Sequence, residues 1–265
     1  MIEMIPPELN YDEVAEKMIK FIQERVKEAG ANGVVVGASG GLDSSVVLVL
    51  SVRALGAGNV VALIMPDPSI TPLQDIEHAV QLAKLLGVRY YVIDIRRIYN
   101  SYSDAIPFYA SDALIPNGNL RARIRMTILY YYANLKNLLV CGTGDKSEIL
   151  LGYFTKYGDG AADLLPIADL YKTQVRRLAR KLDLPKSIVE KPSSPRLWPG
   201  QMAEKELGAT YDEIDQILYL YVELGKNVDE IIDQTGIESE KVRSIVERFH
   251  KSEHKRRLPP IAKIR

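Results

Sequence analysis

The stretch Val34-Val35-Val36-Gly37-Ala38-Ser39-Gly40-Gly41-Leu42-Asp43-Ser44-Ser45 passes from a β-branched run into small residues, after which the chain resumes as the apolar Val46-Val47-Leu48-Val49-Leu50. That order predicts a buried strand, a tight turn and a helix. A helix that starts in such a turn leaves its first backbone N–H groups unpaired and points its positive dipole end into the turn. The turn is therefore expected to bind phosphate. Gly40 and Gly41 remove side chains that would block close backbone approach, while Ser39, Ser44 and Ser45 add hydroxyl donors. Asp43 sets a carboxylate beside the anion, which points to bound magnesium. The Lys-Ser/Thr that follows the glycines of a Walker loop is missing, as is the glycine spacing of a dinucleotide fingerprint, so this is a different phosphate loop.

The 265 residues, 47% of them hydrophobic, suffice for one large α/β domain over 1–265, with a nucleotide-binding core at about 30–185 and a loop and helical part at about 186–265. Thirty-four basic residues balance thirty-four acidic ones, which argues against a general nucleic-acid binder and for a small partner. The lone cysteine, Cys141, excludes an internal disulfide and is expected to serve as a small buried apolar side chain. The first residues lack the layout of a signal peptide and no apolar run reaches spanning length, so no membrane is expected and the cytoplasm is the expected location.

Apolar residues at Val14, Met18, Ile19, Ile22 and Val26 predict a helix over about 12–29, closed by Gly30. Residues 59–65, 89–95 and 138–141 read as further strands. Thr71-Pro72-Leu73-Gln74 reads as a helix start with a capping-box pair and proline at the first position, and that helix ends at Gly87. Another helical stretch covers about 120–134. Strands alternating with helices imply a doubly wound, mostly parallel sheet flanked by helices, with ligands at the carboxyl ends of the strands. Beyond Pro185, the proline-rich 191–200 cannot be helix or central strand. Two amphipathic helices follow near 210–224 and 239–251 as a C-terminal extension. The polar stretches 101–118 and 191–205 are expected to be substrate flaps.

The Ser39-to-Ser44 turn resembles the SGGxDS loop of the N-type ATP pyrophosphatases. Four further motifs follow it: Asn119-Leu120-Arg121-Ala122-Arg123-Ile124-Arg125, Gly142-Thr143-Gly144-Asp145-Lys146-Ser147-Glu148, Gly152 to Asp163, and Ser252-Glu253-His254-Lys255-Arg256-Arg257. The arginines at spacing two cannot share one helix face, so one is expected to point inward. In this order, from about residue 11 to 259, the series resembles the ammonia-dependent NAD synthetase family. The resemblance implies an adenine nucleotide alpha hydrolase-like fold and a two-step reaction. The nicotinate carboxylate of deamido-NAD attacks the α-phosphorus of ATP, pyrophosphate leaves, and ammonia displaces AMP from the acyl adenylate to give NAD.

By matching positions, the resemblance implies that Gly37, Ala38, Ser39, Gly40, Gly41, Leu42, Asp43 and Ser44 hold ATP. Thr143 and Lys172 match ATP contacts, and Ser193 does so more loosely. Asp43 and Glu148 would bind magnesium, the implied metal; Asp43, Lys172 and Asp159 would be catalytic. Arg123, Lys156, Asp159, Asp163, His254 and Lys255 would hold deamido-NAD, whose phosphates and carboxylate call for cations. By residue type alone, Glu148 also reads as a solvated helix-start acid, and Lys172 equally well as a surface lysine, since lysine is nearly always exposed. Residues 253–257 likewise read as a basic tail. The tail must fold back to reach a site, and the family's homodimer is implied here too. The alternatives are a sibling adenylating enzyme of the GMP synthetase or tRNA-modifying kind, or a non-catalytic nucleotide-binding module. The balanced charge and the lack of catalytic cysteines weigh against tRNA enzymes. Asp43 and Glu148 weigh against the module. Arg196 replaces an acid common in the family, and Met202-Ala203-Glu204 stands where an Asp-Glu pair is common, keeping Glu204 but not its partner, which leaves the flap details open. Glutamine-using relatives carry a nucleophilic cysteine in an added domain, so free ammonia is the expected nitrogen donor.

Overall fold

β1 (Val34–Gly37) lies at the centre of a four-stranded sheet, between β2 (Val60–Ile64) and β4 (Leu139–Cys141), with β3 (Arg89–Val92) outside β2. Every pairing is parallel, with Val35 opposite Val61 on one side and Val140 on the other. The computed structural model describes residues 5–264. Side chains alternate across the strands. Val34, Val36, Val60, Ala62 and Ile64 enter one core, whereas Val35, Val61 and Leu63 enter another on the opposite face. A strand buried on both faces needs the continuous apolar run that the valines supply.

The first face is covered by α1 (Tyr11–Glu28), α2 (Leu42–Leu55), α3 (Leu73–Leu85), α7 (Lys172–Lys181) and α8 (Lys186–Val189). α2 packs against α1, α7, α8 and the sheet, so its side chains are apolar nearly all round. The second face is covered by α4 (Arg96–Ala105) and α5 (Leu114–Lys136). The crossovers thus run on one face from β1 to β3 and on the other from β3 to β4. The order of the strands across the sheet reverses between β1 and β4, and the turns that follow those strands open onto one crevice. The sequence expectation of a doubly wound parallel sheet holds.

Three local readings change. Residues 101–118 are no polar flap: α4 occupies the sequence through Ala105 and α5 begins at Leu114. The polar residues there, Asn100, Ser101, Ser103 and Asp104, lie on the outer side of a helix whose Tyr99 is buried. Thr71 does not cap α3, which starts after Pro72 without a side-chain cap. Its hydroxyl accepts instead from Asp67 N at 3.1 Å, closing the turn that leaves β2. The third strand ends at Val92 because Ile95 already leads into α4. Gly33 enters β1 at φ 151°, where an added Cβ would stand 1.9 Å from the Asn59 carbonyl oxygen, so a side chain there would split β1 from β2.

A separate core joins α6 (Lys146–Leu151) to α9 (Ala203–Leu207), α10 (Tyr211–Leu218), α11 (Val228–Thr235) and α12 (Ser239–Lys251), with α13 (Glu253–Arg256) after them. The helix expected over 210–224 widens in its last turn, with Leu224 N donating to Tyr219 O at 3.2 Å. α10 and α11 carry capping boxes from Thr210 and Asn227. The C-terminal helices are tied to the sheet domain through Asp215. Ser147 Oγ donates to it at 2.5 Å and Thr173 N at 2.8 Å, while Lys172 N donates to Ser147 Oγ at 2.9 Å.

Burial pushes the Asp215 carboxyl up to about 7, against those hydrogen bonds and with the help of Asp145. The folded state therefore keeps a proton that the unfolded chain releases above about pH 4. The contribution of Asp215 to stability is complete below that value and is lost as pH rises toward 7. Urea unfolding at about pH 5 and about pH 8 should show this loss, on the order of a few kcal/mol, in the native sequence. Asp215→Asn should flatten it; an unchanged slope would remove Asp215 from the account.

Candidate active site

The turn between β1 and α2 is held open by its own hydroxyls. Ser39 N donates to Ser44 Oγ at 3.2 Å, Gly41 N to Ser39 Oγ at 3.2 Å, and Ser45 Oγ to Gly41 O at 2.7 Å. α2 has Gly41 at its N-cap and no side-chain cap, so the first helical N–H groups face the crevice as free donors. Gly40 sits at φ 74°, where a Cβ would lie 2.0 Å from the Asp75 carbonyl oxygen. Glycine is required by that close approach of loop to α3.

Across the crevice, α6 follows β4 through Gly142-Thr143-Gly144. Asp145 caps it by accepting from Glu148 N at 2.8 Å. Oxygens of Asp43, Asp145 and Glu148 all lie within 4.8 Å of one another. Between them sits the Lys172 ammonium, 2.8 Å from Asp43, 2.7 Å from Asp145 and 2.9 Å from Glu148. Lys172 is fully buried, which its residue type did not reveal. Burial works against its charge, but Asp145, Asp43 and Glu148 outweigh it and hold the amine protonated well above the usual lysine range. Burial likewise raises the acids, Asp145 to about 6 and Glu148 well above the usual range, despite Lys172. Asp145 Oδ2 touches the ammonium off the angle of a hydrogen bond, and Asp43 Oδ1 has no partner either. Hard carboxylate oxygens converging on one place, two of them without a hydrogen-bond donor, fit a magnesium ion.

One cavity, of about 270 Å³, connects these parts. Its lining takes in Gly37 to Ser44 except Gly40, together with Thr143, Glu148, Asp159 and Ser193. The segment 191–197 closes one side. Lys191 Nζ donates to Gly40 O at 2.6 Å and to Asp75 Oδ1 at 2.9 Å, and Arg196 Nε donates to Asp75 Oδ2 at 2.9 Å. Arg196, the departure from the family pattern, thus has a buried carboxylate as its partner. Glu204 accepts from Tyr211 N at 2.9 Å and braces α10.

The residues implied for the dinucleotide form a second group. The exposed Arg123 donates to Lys156 O at 3.2 Å, and Lys156 Nζ donates to His254 O at 2.7 Å. Lys255 Nζ donates to Gly152 O and Phe154 O, each at 2.7 Å. The basic tail therefore folds back onto the 152–156 turn of its own chain. Asp159 ties one oxygen to Thr155 N at 2.9 Å. Asp163 uses both, accepting from Val140 N at 2.7 Å and from the Tyr130 hydroxyl at 3.2 Å, and so also pins β4 to α5. Of the three arginines, Arg121 reaches Asp67 at 2.7 Å and Arg125 donates to Met65 O at 2.9 Å and lines the cavity; Arg123 alone is exposed. Two of them point inward where one was expected.

Sequence reasoning assigned no role to Asp145, Asp75 or Arg125. Asp145 was visible only as a member of its motif, and a capping acid leaves the same mark. Asp75 and Arg125 had no local signal, because their partners come from distant segments.

The NAD synthase family profile matches residues 14–259. The chain is 56% identical over 253 residues to a protein of Hyperthermus butylicus named NH(3)-dependent NAD(+) synthetase, covering 96% of this chain and 91% of that one. Among solved structures, NMN synthetase from Francisella tularensis superposes with a TM-score of 0.85 at 34% identity, over 97% of this chain and all of the other. NH3-dependent NAD synthetase from Campylobacter jejuni, in complex with nitrate, gives 0.80 at 36% identity, again over 97% of this chain and all of the other.

Proposed function

The chain belongs to the NAD synthase family, and from that membership and the geometry of the crevice we propose that it makes NAD from deamido-NAD, ATP and ammonia, releasing AMP and pyrophosphate through an acyl adenylate. The observation that carries the reading is the uncapped α2 N-terminus opening into the same cavity as the Asp43 and Glu148 carboxylates and, between these, the Lys172 ammonium. Adenylyl transfer needs charge neutralisation and alignment rather than a protein nucleophile.

The N–H groups and hydroxyls of Gly37 to Ser44 receive the terminal phosphates of ATP and leave the α-phosphorus open to the incoming nicotinate carboxylate. Lys172 offers its positive charge to the departing pyrophosphate. Asp43 and Glu148, with Asp145 behind them, would hold a magnesium ion, which supplies Lewis-acid neutralisation of phosphate oxygens. Thr143 and Ser193 line the nucleotide side of the cavity. Arg123, Lys156 and Lys255 present cations, His254 an imidazole, and Asp159 and Asp163 acceptors, to the dinucleotide. Asp159, at the cavity wall with one oxygen committed to Thr155 N, is placed to take a proton from ammonium before it attacks. The segment 191–197 keeps water from the acyl adenylate. Cys141 is no glutaminase nucleophile, since burial pushes its thiol up to about 12. Among the described residues, no helix is long and apolar enough to cross a membrane.

A homodimer would find its contacts on α5. α5 is apolar on both sides: Ala122, Ile124 and Ala133 are buried, while Ile115, Tyr131 and Leu135 are 67%, 71% and 61% exposed. Ile115 near the start of α5, and Tyr131 with Leu135 near its end on the other side of the helix, leave exposed apolar side chains at two places, and a second copy of the chain is the occupant the family implies.

Incubation with ATP, deamido-NAD, magnesium and an ammonium salt should yield AMP and NAD in equal amounts. Nicotinate mononucleotide is the control acceptor suggested by the Francisella tularensis relative, and faster turnover of it would transfer the assignment to NMN synthesis. Asp43→Asn should lower the rate at least about a hundredfold with the circular dichroism spectrum unchanged; full activity would remove Asp43 from the mechanism. Light scattering should give twice the chain mass for the native protein and the single mass for the double variant Ile115→Lys, Leu135→Glu. A native monomer would end the dimer proposal.

A further inference from the structure

A metal ion bound by Asp43, Asp145 and Glu148 would meet the oxygens that the Lys172 ammonium already holds. The ammonium lies within 2.9 Å of all three acids, and those acids' oxygens lie within 4.8 Å of one another, so they enclose a single cation position. A magnesium ion draws its ligand oxygens to about 2.1 Å, which leaves no room for a second cation between them. We propose that Lys172 is the cage's resident counter-ion, and that a divalent metal enters only in exchange, when the phosphates arriving with it take up the displaced ammonium. The proposal rests on reading this crevice as the place where the metal and nucleotide are held.

The chain is built for such an exchange. The backbone of Lys172 is fixed, its N–H donating to Ser147 Oγ at 2.9 Å, and Thr173 N is bound to Asp215 at 2.8 Å. Only the flexible side chain is free to move. Beneath it the Tyr211 ring lies 5.3 Å from the ammonium, and Asp145 is fully buried, whereas Asp43 and Glu148 are partly open. The way out leads toward the last two, which line the same cavity as the phosphate turn. A metal ion alone must evict a buried ammonium that has no anion to go to, which leaves an uncompensated charge. A metal ion bound to a triphosphate brings that anion with it. The two ligands should therefore load as a unit, with the metal alone held weakly. Asp145 enters the mechanism as the acid that keeps Lys172 in place between turnovers.

The test uses metal and nucleotide only. Mn2+ binding to the native protein, followed by electron paramagnetic resonance without nucleotide, should be weak, and Lys172→Met should tighten it about tenfold or more by removing the competing charge. Equal or weaker binding by the variant overturns the proposal. Should Lys172→Met fold only when Mn2+ is present, that dependence supports the exchange. Should it not fold in either condition, the native protein decides, through the Lys172 Nζ resonance of 15N-labelled protein. That signal should stay in place under Mg2+ alone and move on addition of Mg2+ with α,β-methylene ATP, which cannot be cleaved. Movement with Mg2+ alone, or none with the complex, overturns the proposal. Neither readout involves deamido-NAD or turnover. Failure to make NAD would remove the assigned reaction and leave the exchange standing, and the converse also holds.

Discussion

The contact between one buried ammonium and three acids holds the crevice together. Asp43 opens α2, Asp145 and Glu148 open α6, and Lys172 opens α7, the first and last being 129 residues apart. Burying an ammonium or a carboxylate alone is strongly unfavourable, so each of these groups is tolerable only where the others are. Apolar side chains of similar size would give the same packing without that opposition. A stability argument therefore does not explain the cluster, whereas chemistry does: charges kept dry and preset act strongly on phosphate.

The rest of the fold explains how these helix starts meet. β1 and β4 are neighbours in the sheet although three crossovers separate them in the chain, and the order of the strands reverses between them. Their turns therefore face one crevice. α6 is short and could not hold Glu148 in position by itself. It is braced by the C-terminal helices through Leu151 in their common core and by the Asp215 bridge from α10 to Ser147 and Thr173. The C-terminal part is thus a support for the helix that carries Asp145 and Glu148, and its last turn supplies Lys255 and the His254 carbonyl to the 152–156 segment.

What could be read from the sequence was what is written locally. The valine run, the glycine-serine turn and the apolar helix after it follow from periodicity and composition within about twenty residues, and they gave β1, the phosphate turn and α2. The resemblance gathered Asp43, Glu148 and Lys172 into one site. Residue type pulled the other way for Lys172, because a lysine is buried only when acids from elsewhere surround it. Asp145 was hidden behind its capping role. The stretch 101–118 was misread since an exposed helix and a polar loop share a composition, and the single buried Tyr99 was too little apolar signal to separate them. Thr71 kept the pattern of a cap while the turn at Asp67 competed for its hydroxyl.

Arg196 shows how a departure from a pattern finds its reason in three dimensions. Asp75 receives both Arg196 and Lys191, and the same Lys191 donates to the carbonyl of Gly40. Gly40 in turn approaches the Asp75 backbone so closely that no side chain fits. The start of α3, the phosphate turn and the segment over the cavity are therefore linked through one acid and one glycine. Shaping the turn and seating the segment over the cavity rest on the same contacts, so in the function proposed above a phosphate held in the turn would bear on the cover as well. An acyl adenylate is destroyed by water, so in the proposed reaction a cover tied to the cradle would keep water out while the intermediate exists.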